Sequence, residues 1–221
     1  MKHKFSLSVW RSCLLLLLLG MISIILGVVQ LESINNNTAG AAYLITPLPV
    51  IIHIVCGIIF NLLSPFQFVS SVRERFPLFH RYSGRVLALC AISVALTALW
   101  MNQFYPSYGG ALKYSGIVAY NIVLLGAIWL AIKYIRNKNI KEHKLWMMRA
   151  MAAALGPATQ RLIILPVFMI FGEEVLTEWF IGLLIWSGLI INLVFVEYIH
   201  FKQQPDKPRM NTNLTSQLSN Q

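Results

Sequence analysis

The chain has 221 residues, of which 57% are apolar and only 12% carry a charge. Soluble domains usually hold about 45–50% apolar and about 25% charged residues. The charged groups are therefore too few to cover the surface of a soluble protein of this length. These figures exclude soluble enzymes, secreted disulfide scaffolds, disordered chains and coiled coils, and they indicate an integral membrane protein.

The net charge of +10 and the three cysteines do not point to another class of protein. The basic residues form short clusters between apolar runs, whereas a nucleic-acid surface carries a continuous basic stripe. Cys13, Cys56 and Cys90 lie in separate apolar segments without a C-x-x-C spacing, which predicts neither a disulfide framework nor a zinc site. We therefore expect the lipid bilayer as a partner, and no nucleic acid.

Apolar segments long enough to cross a bilayer, which takes about 20 helical residues, predict an all-α integral membrane bundle of six transmembrane helices. The predicted spans are residues 12–30, 47–64, 84–104, 115–134, 145–171 and 179–199. They form a single domain over residues 1–205, and residues 206–221 are expected to be a disordered tail. The first span resembles a signal peptide, but its apolar core is longer than the usual about 7–15 residues, so we expect an uncleaved anchor. Pro157 and Pro166 predict a kink in the fifth span.

The basic residues predict the orientation of the spans. All but two of the 18 Lys and Arg residues lie in the N-terminal segment, the tail or alternate loops. Lys and Arg accumulate in cytoplasmic loops, so both termini are expected in the cytoplasm. The exceptions are Lys113, in an outer loop, and Arg161, inside the fifth span.

Polar side chains inside the predicted spans form a layer near the outer face. With a rise of about 1.5 Å per residue, His53 lies about 9 Å and Arg161 about 15 Å from the outer ends of their spans. Tyr120, Asn121 and Gln160 are expected at a similar depth. A central arginine costs about 2.5–3.5 kcal/mol on insertion, which favours a site for an anionic ligand group such as a heme propionate, a lipid phosphate or a polarised quinone oxygen. The alternative is a structural hydrogen-bond network between helices.

A second polar group is predicted at the cytoplasmic ends of the third and fifth spans. His80 precedes the third span and His143 precedes the fifth, and two histidines at one face are the minimum for ligation of heme b by two imidazoles. In a continuous fifth helix, His143 and Arg161 would share one stripe. The alternative is that both histidines are interfacial residues whose arginine neighbours bind lipid phosphates.

Other polar residues are predicted to support this cofactor site. Arg149 and Arg161 would be anion partners of a bound heme or quinone. His53 would be a second ligand or a proton relay. The remaining supporting residues of this face are Gln67, Arg81 and Arg85. No catalytic triad, phosphate loop or pair of acids inside a span is present.

These residues resemble a family of bacterial multi-pass proteins known as a domain of unknown function (number two-three-zero-six). The resemblance covers about residues 49–166, and a glycine commonly precedes the Pro-Phe-Gln-Phe run where this chain has Ser64. It implies a protein of the bacterial inner membrane without an assigned activity. The matching motifs are His53, Pro65-Phe66-Gln67-Phe68, Arg73, His80-Arg81…Gly84-Arg85, His143…Trp146-Met147…Arg149 and Arg161-Leu162.

A more distant similarity is to heme-carrying four-helix membrane cytochromes and ferric reductases, whose histidines lie in two layers. A two-heme arrangement would lack one ligand, because the outer layer has only His53, so this similarity leaves open one heme at His80 and His143, or none. The favoured function is a redox protein that binds heme b or a quinone. The alternatives are a small transporter or lipid-binding protein with a polar site at His53 and Arg161, and a structural subunit without chemistry.

Overall fold

The computed structural model describes residues 46–105 and 109–202, together with Leu14, Leu17, Leu18, Gly20, Met21 and Ile25, which are helical. Within this part of the chain all regular structure is helical and no strand occurs. The elements are α1 (Leu48–Gln67), α2 (Ser70–Arg75), α3 (Pro77–Phe104), α4 (Gly110–Arg136), α5 (Ile140–Ala154), α6 (Gly156–Phe171), a 3-10 turn (Glu173–Val175) and α7 (Glu178–Lys202).

Five candidate spans are long and apolar enough to cross a membrane: α1, α3, α4, α5 together with α6, and α7. The prediction of an all-helical membrane protein is confirmed for the described residues. Only six of the nineteen residues of the predicted first span, residues 12–30, are among them, and the predicted tail, residues 206–221, lies outside them entirely. The count of six spans and the cytoplasmic termini therefore stay predictions.

Several helix boundaries differ from the predicted ones, and proline explains two of the differences. α3 begins at Pro77 rather than at Gly84. Proline lacks a backbone N–H, and it fits the first turn of a helix because N–H groups there have no partner within the helix. α1 continues through Pro65 to Gln67, since Pro65 is buried against neighbouring helices, where membrane helices tolerate proline. α5 begins at Ile140, preceded by an Asn139 side chain that accepts a hydrogen bond from the backbone of Glu142.

The kink predicted for the fifth span is a break at Leu155, between α5 and α6. Pro157 lies in the first turn of α6, whereas Pro166 lies inside α6 without ending it. The prediction of a single stripe from His143 to Arg161 was wrong, because these residues belong to separate helices.

The helices pack in an order that brings the basic segments to one end of the bundle. α1 packs on α3, α3 on α4, and α4 on both α5 and α7, while α6 packs on α7. Successive spans alternate in direction, so the ends of α1, α4 and α7 meet the starts of α3 and α5. We call this end the basic face. The central core is formed by Phe60, Leu87, Ile128, Ala150 and Met151, from α1, α3, α4 and α5.

α4 and α7 approach closely because glycines leave room for the facing side chains. A Cβ added at Gly116 of α4 would lie 2.6 Å from Ile185, and one added at Gly182 of α7 would lie 2.7 Å from Leu112. Small residues allow helices to approach in this way in membranes. The two helices therefore form a tightly fitted pair.

Glycines also form a slot for the Tyr120 side chain at the break in the fifth span. A Cβ on Gly156 would clash with the Tyr120 ring and hydroxyl, and one on Gly188 would lie 2.8 Å from the Tyr120 hydroxyl. The phenol ring of α4 thus fits between the start of α6 and the middle of α7.

We predict that Gly156→Ala lowers the thermal unfolding temperature in detergent. The new methyl group would overlap Tyr120, and overpacking of this kind costs about 1–3 kcal/mol, or roughly 2–4 °C for each kcal/mol in a protein of this size. Gly126→Ala in α4 is the matched control, because nothing lies within 4 Å of its new Cβ. In a Tyr120→Ala background Gly156→Ala should cost little. Equal melting of the Gly156 and Gly126 variants would contradict the slot.

Candidate functional site

α3 and α5 bring His80 and His143 together at the basic face. Both helices begin there and run in the same direction, and each histidine lies seven residues before a core residue of one shared cavity, Leu87 on α3 and Ala150 on α5. The equal spacing gives both histidines the same depth, about 10 Å below the cavity walls. They are close enough for their charges to interact, and Arg73 and Arg81 are also within that range of His80.

Each imidazole of this histidine pair has a ring nitrogen available for a ligand. The Nδ1 of His143 lies 2.8 Å from the carbonyl oxygen of Ala131. A carbonyl only accepts, so Nδ1 carries the hydrogen and Nε2 of the neutral ring carries a lone pair. The Nδ1 of His80 is buried and has no hydrogen-bond partner among the described residues. The arrangement at His143 is typical of a histidine that binds a metal through its second nitrogen, because such a ligand donates its other N–H to a carbonyl or carboxylate.

The cavity above the histidine pair has a volume of about 10 Å³. That is room for about one water molecule. The buried hydroxyl of Ser64 on its wall has no partner within the described part of the chain. The cavity is lined by Phe60, Ser64, Gln67, Phe68, Leu87, Ile128, Met147, Ala150 and Met151.

Gln67 connects α1 to α3 next to this cavity. Its Nε2 donates to the Ser83 hydroxyl over 2.7 Å, and that hydroxyl donates to the carbonyl of Phe79. A Cβ on Gly84 would lie 3.3 Å from the Gln67 Oε1, so this glycine leaves room for the amide. Both arginines that were predicted to support the site, Arg81 and Arg85, are exposed near the start of α3.

Arg149, predicted as an anion partner of a cofactor, binds Glu197 of α7. Its Nε donates to Oε1 over 2.6 Å and its Nη2 to Oε2 over 3.1 Å, and the guanidinium carbon lies 4.2 Å from the centre of the Trp146 ring. A bidentate pair between facing helices connects α5 to α7. The sequence contained a signal for this pair, since Glu197 is an acid inside the predicted sixth span.

Near the opposite end of the bundle, His53 and Arg161 come together as predicted from their depths. The Nδ1 of His53 lies 3.1 Å from the Thr97 hydroxyl and 3.2 Å from the carbonyl of Val94, both on α3. Its ring is close enough to Arg161 for the charges to interact. Two groups that can carry positive charge therefore lie near each other within the spanning part of the bundle.

The other members of this polar layer have different surroundings. The Tyr120 hydroxyl is buried and has no hydrogen-bond partner among the residues described. It lies against the first turn of α6, near the backbone of Gln160. The amide of Asn121 donates over 2.7 Å to the carbonyl of Ile117 within its own helix. Tyr120 therefore stays a site candidate beside the break in the fifth span, whereas Asn121 is satisfied locally.

Sequence reasoning missed two polar residues that bridge the break in the fifth span. The Asn192 Nδ2 donates over 3.0 Å to the carbonyl of Ala152, and its Oδ1 accepts from the Thr159 hydroxyl over 2.8 Å. The rule that identified Asn121, an amide inside an apolar span, also applies to Asn192.

No cluster of three or more His, Cys, Asp or Glu side chains suited to a metal ion occurs in residues 46–105 and 109–202. Both candidate sites are therefore built around pairs, His80 with His143 and His53 with Arg161. Two imidazoles can complete the coordination of an iron that a macrocycle already holds, and an arginine with a histidine can bind an anionic group.

We predict that Arg149→Gln and Glu197→Gln each lower the thermal unfolding temperature, and that the double variant loses no more than the worse single one. Residues in direct contact typically show coupling of about 0.5–3 kcal/mol. The measurement is a double-mutant cycle of thermal unfolding in detergent. Lys144→Gln, an exposed position of α5, is the control and should leave the temperature unchanged. Additive losses would show that the pair contributes no interaction energy.

Comparison with known proteins identifies a family whose sequence profile matches this chain. The profile of a family described as "Predicted membrane protein (DUF2306)" matches residues 50–200, which hold all five candidate spans apart from a few terminal residues. No curated protein and no solved structure matches the chain. The match covers well over half of the sequence and includes both histidine sites, so the chain belongs to the DUF2306 family of predicted membrane proteins.

Proposed function

We propose that this protein is a membrane redox protein that binds heme b at the basic face, with His80 and His143 as the two iron ligands. The observation that carries the proposal is the meeting of these histidines from α3 and α5 at one depth, within range of each other's charge. Bound heme would supply one-electron transfer between its two iron oxidation states. The distribution of Lys and Arg supports an orientation with both termini in the cytoplasm, and we propose the bacterial inner membrane as the location.

The surroundings of each ring support ligation through one nitrogen. Because the Ala131 carbonyl holds the Nδ1 hydrogen of His143, the ring is fixed in the tautomer that leaves Nε2 free for a metal. The orphan Nδ1 of His80 is a buried polar atom that calls for a partner, since such atoms are rarely left unpaired.

Heme loading requires the helices around the cavity to separate. Sites for small organic molecules usually measure about 300–1,000 Å³, whereas this cavity measures about 10 Å³. Phe60 and Met147 line the cavity from α1 and α5 and would have to move aside. The proposal therefore includes a change in packing on loading, in which the small side chain of Ala150 leaves room at the wall of α5.

We predict a Soret band for protein expressed with heme precursor and purified in mild detergent, with a shift of the visible bands on reduction by dithionite. His80→Ala and His143→Ala should each lower the heme content and change the Soret band, because each removes one of the two residues that would hold the iron. The measurement is absorbance before and after dithionite, with heme content determined on denatured protein.

His200→Ala is the matched control, because His200 lies in the last turn of α7 at the same face of the bundle. It should leave the spectrum unchanged. Absence of heme from the wild-type protein, or equal spectra for all three variants, would contradict the proposal.

A second candidate function is the binding or transport of an anionic amphiphile at the opposite end. The observation that favours it is the approach of His53 to Arg161 beside the break in the fifth span. An anion between two cationic groups would relieve their repulsion in a medium of low dielectric constant. Interrupted spans often form substrate sites in transporters, where the start of a half-helix faces an anion.

We predict that an anionic amphiphile such as dodecyl phosphate raises the thermal unfolding temperature, because a ligand of the folded state stabilises it. Arg161→Leu should remove this shift, and Arg161→Lys should retain part of it. Dodecyl phosphocholine, which has a compensating positive charge, is the control ligand. An equal shift from both amphiphiles would show that only the alkyl chain binds.

A further inference from the structure

We infer that the corner between α2 and α3 binds the phosphate of an anionic phospholipid headgroup, with Arg73 and Arg81 as the binding side chains. The two arginines come from opposite sides of the turn at Phe76, where α2 ends and α3 begins. This site is independent of heme binding, because it needs neither histidine as an iron ligand.

Positive charge exceeds negative charge at this corner, where three exposed arginines stand against one exposed acid, Glu74. Arg73 and Arg81 both lie close enough to His80 for their charges to interact with its ring, and His143 approaches from α5. Groups of like charge repel when folding brings them together. A bound phosphate between the two arginines would turn that repulsion into attraction, since guanidinium groups pair with phosphate oxygens in bidentate geometry.

The apolar surface beside these arginines favours a lipid over a soluble phosphate. Phe76, Leu78 and Tyr82 are 54%, 65% and 63% exposed. Aromatic and aliphatic side chains exposed next to basic residues are typical of segments that lie at the membrane interface. An acyl chain can cover these side chains while the headgroup meets the arginines, whereas free phosphate satisfies only the charge.

Two neighbouring arginines have aromatic contacts that distinguish them from the proposed pair. The guanidinium carbon of Arg75 lies 5.7 Å from the centre of the Phe76 ring, and that of Arg85 lies 5.6 Å from the centre of the Tyr82 ring. Arg73 and Arg81, by contrast, lie close enough to His80 for their charges to interact with its ring. The rings and their stacked arginines therefore flank the proposed phosphate position.

The packing of α2 fixes the corner in place. Val69, which precedes α2, is only 1% exposed, and α2 packs against both α1 and α3. The backbone of Phe76 accepts a hydrogen bond from His80 and donates one to Val72. Arg73 and Arg81 are thus held on a rigid turn, which lowers the entropy lost on binding a headgroup.

The connection between α4 and α5 provides a matched comparison at the same face. The end of α4, this connection and the first turns of α5 carry exposed basic residues, which are Arg136, Lys138, Lys141 and Lys144. If attraction to anionic lipid followed charge alone, this connection would bind as well as the corner, at about 1 kcal/mol for each basic residue near the surface. The inference instead assigns the selective site to the corner, because its exposed apolar surface includes aromatic rings stacked with arginines, whereas the apolar side chains exposed beside that connection, Ile135 and Ile140, are aliphatic.

The experiment is a lipid titration of purified protein in detergent, followed by thermal unfolding and by native mass spectrometry of bound lipid. Phosphatidylglycerol should stabilise the protein more than phosphatidylcholine of the same chains. The variant Arg73→Gln with Arg81→Gln should bind phosphatidylglycerol more weakly, by about five-fold for each arginine. Arg136→Gln with Lys138→Gln, which removes the same charge, should bind like the wild type.

Each alternative to a lipid site at the corner predicts a different result of this titration. Equal weakening by the two double variants would overturn the site, because attraction would then follow the charge of the whole face. Equal stabilisation by the two lipids would also overturn it. If inorganic phosphate alone reproduced the effect of phosphatidylglycerol, the site would be a phosphate site and the lipid assignment would be wrong. Absence of heme leaves these outcomes unchanged, so the two proposals fail separately.

Discussion

Hydrocarbon cannot solvate a backbone carbonyl, and this constraint governs the break between α5 and α6. Each unpaired backbone group in the bilayer core costs several kcal/mol. At the break, the carbonyl of Ala152 accepts its hydrogen bond from the Asn192 side chain of α7, and the same amide accepts from Thr159 of α6. One side chain therefore joins the two halves of the fifth span to α7. The position of Arg161 beside His53 and the slot for Tyr120 both depend on the path that α6 takes from this junction.

The two polar sites lie at opposite ends of a largely apolar bundle. α1 and α3 connect them, since His53 contacts Thr97 near one end and Gln67 contacts Ser83 near the other. Between these contacts the interface is made of side chains such as Cys56, Phe60 and Ala91. A charge at one site is therefore separated from the other by a medium of low dielectric constant.

Hydropathy and charge identified most of the fold, because the bilayer imposes a simple rule on span length and loop charge. Depth arithmetic predicted one layer for His53 and Arg161, and the order of the spans predicted one face for His80 and His143. Each pair lies close enough for its charges to interact. Local boundaries were less predictable. Pro65 looked like a helix end, yet tertiary packing keeps it inside α1. The roles of Arg149 and Asn192 depend on which helices face each other, and a single sequence does not contain that information.

The close contact of α4 with α7 has a mechanical consequence. Side chains fill the spaces opposite Gly116 and Gly182, so sliding or separating these helices would expose glycine backbone and leave voids on both surfaces. α4 and α7 therefore move as one body, to which Asn192 and Glu197 attach the two halves of the fifth span. The cavity has α4 and α5 on one side and α1 and α3 on the other. A guest larger than water must enter by moving α1 and α3 outward together, so this is the movement that the packing of the bundle resists least.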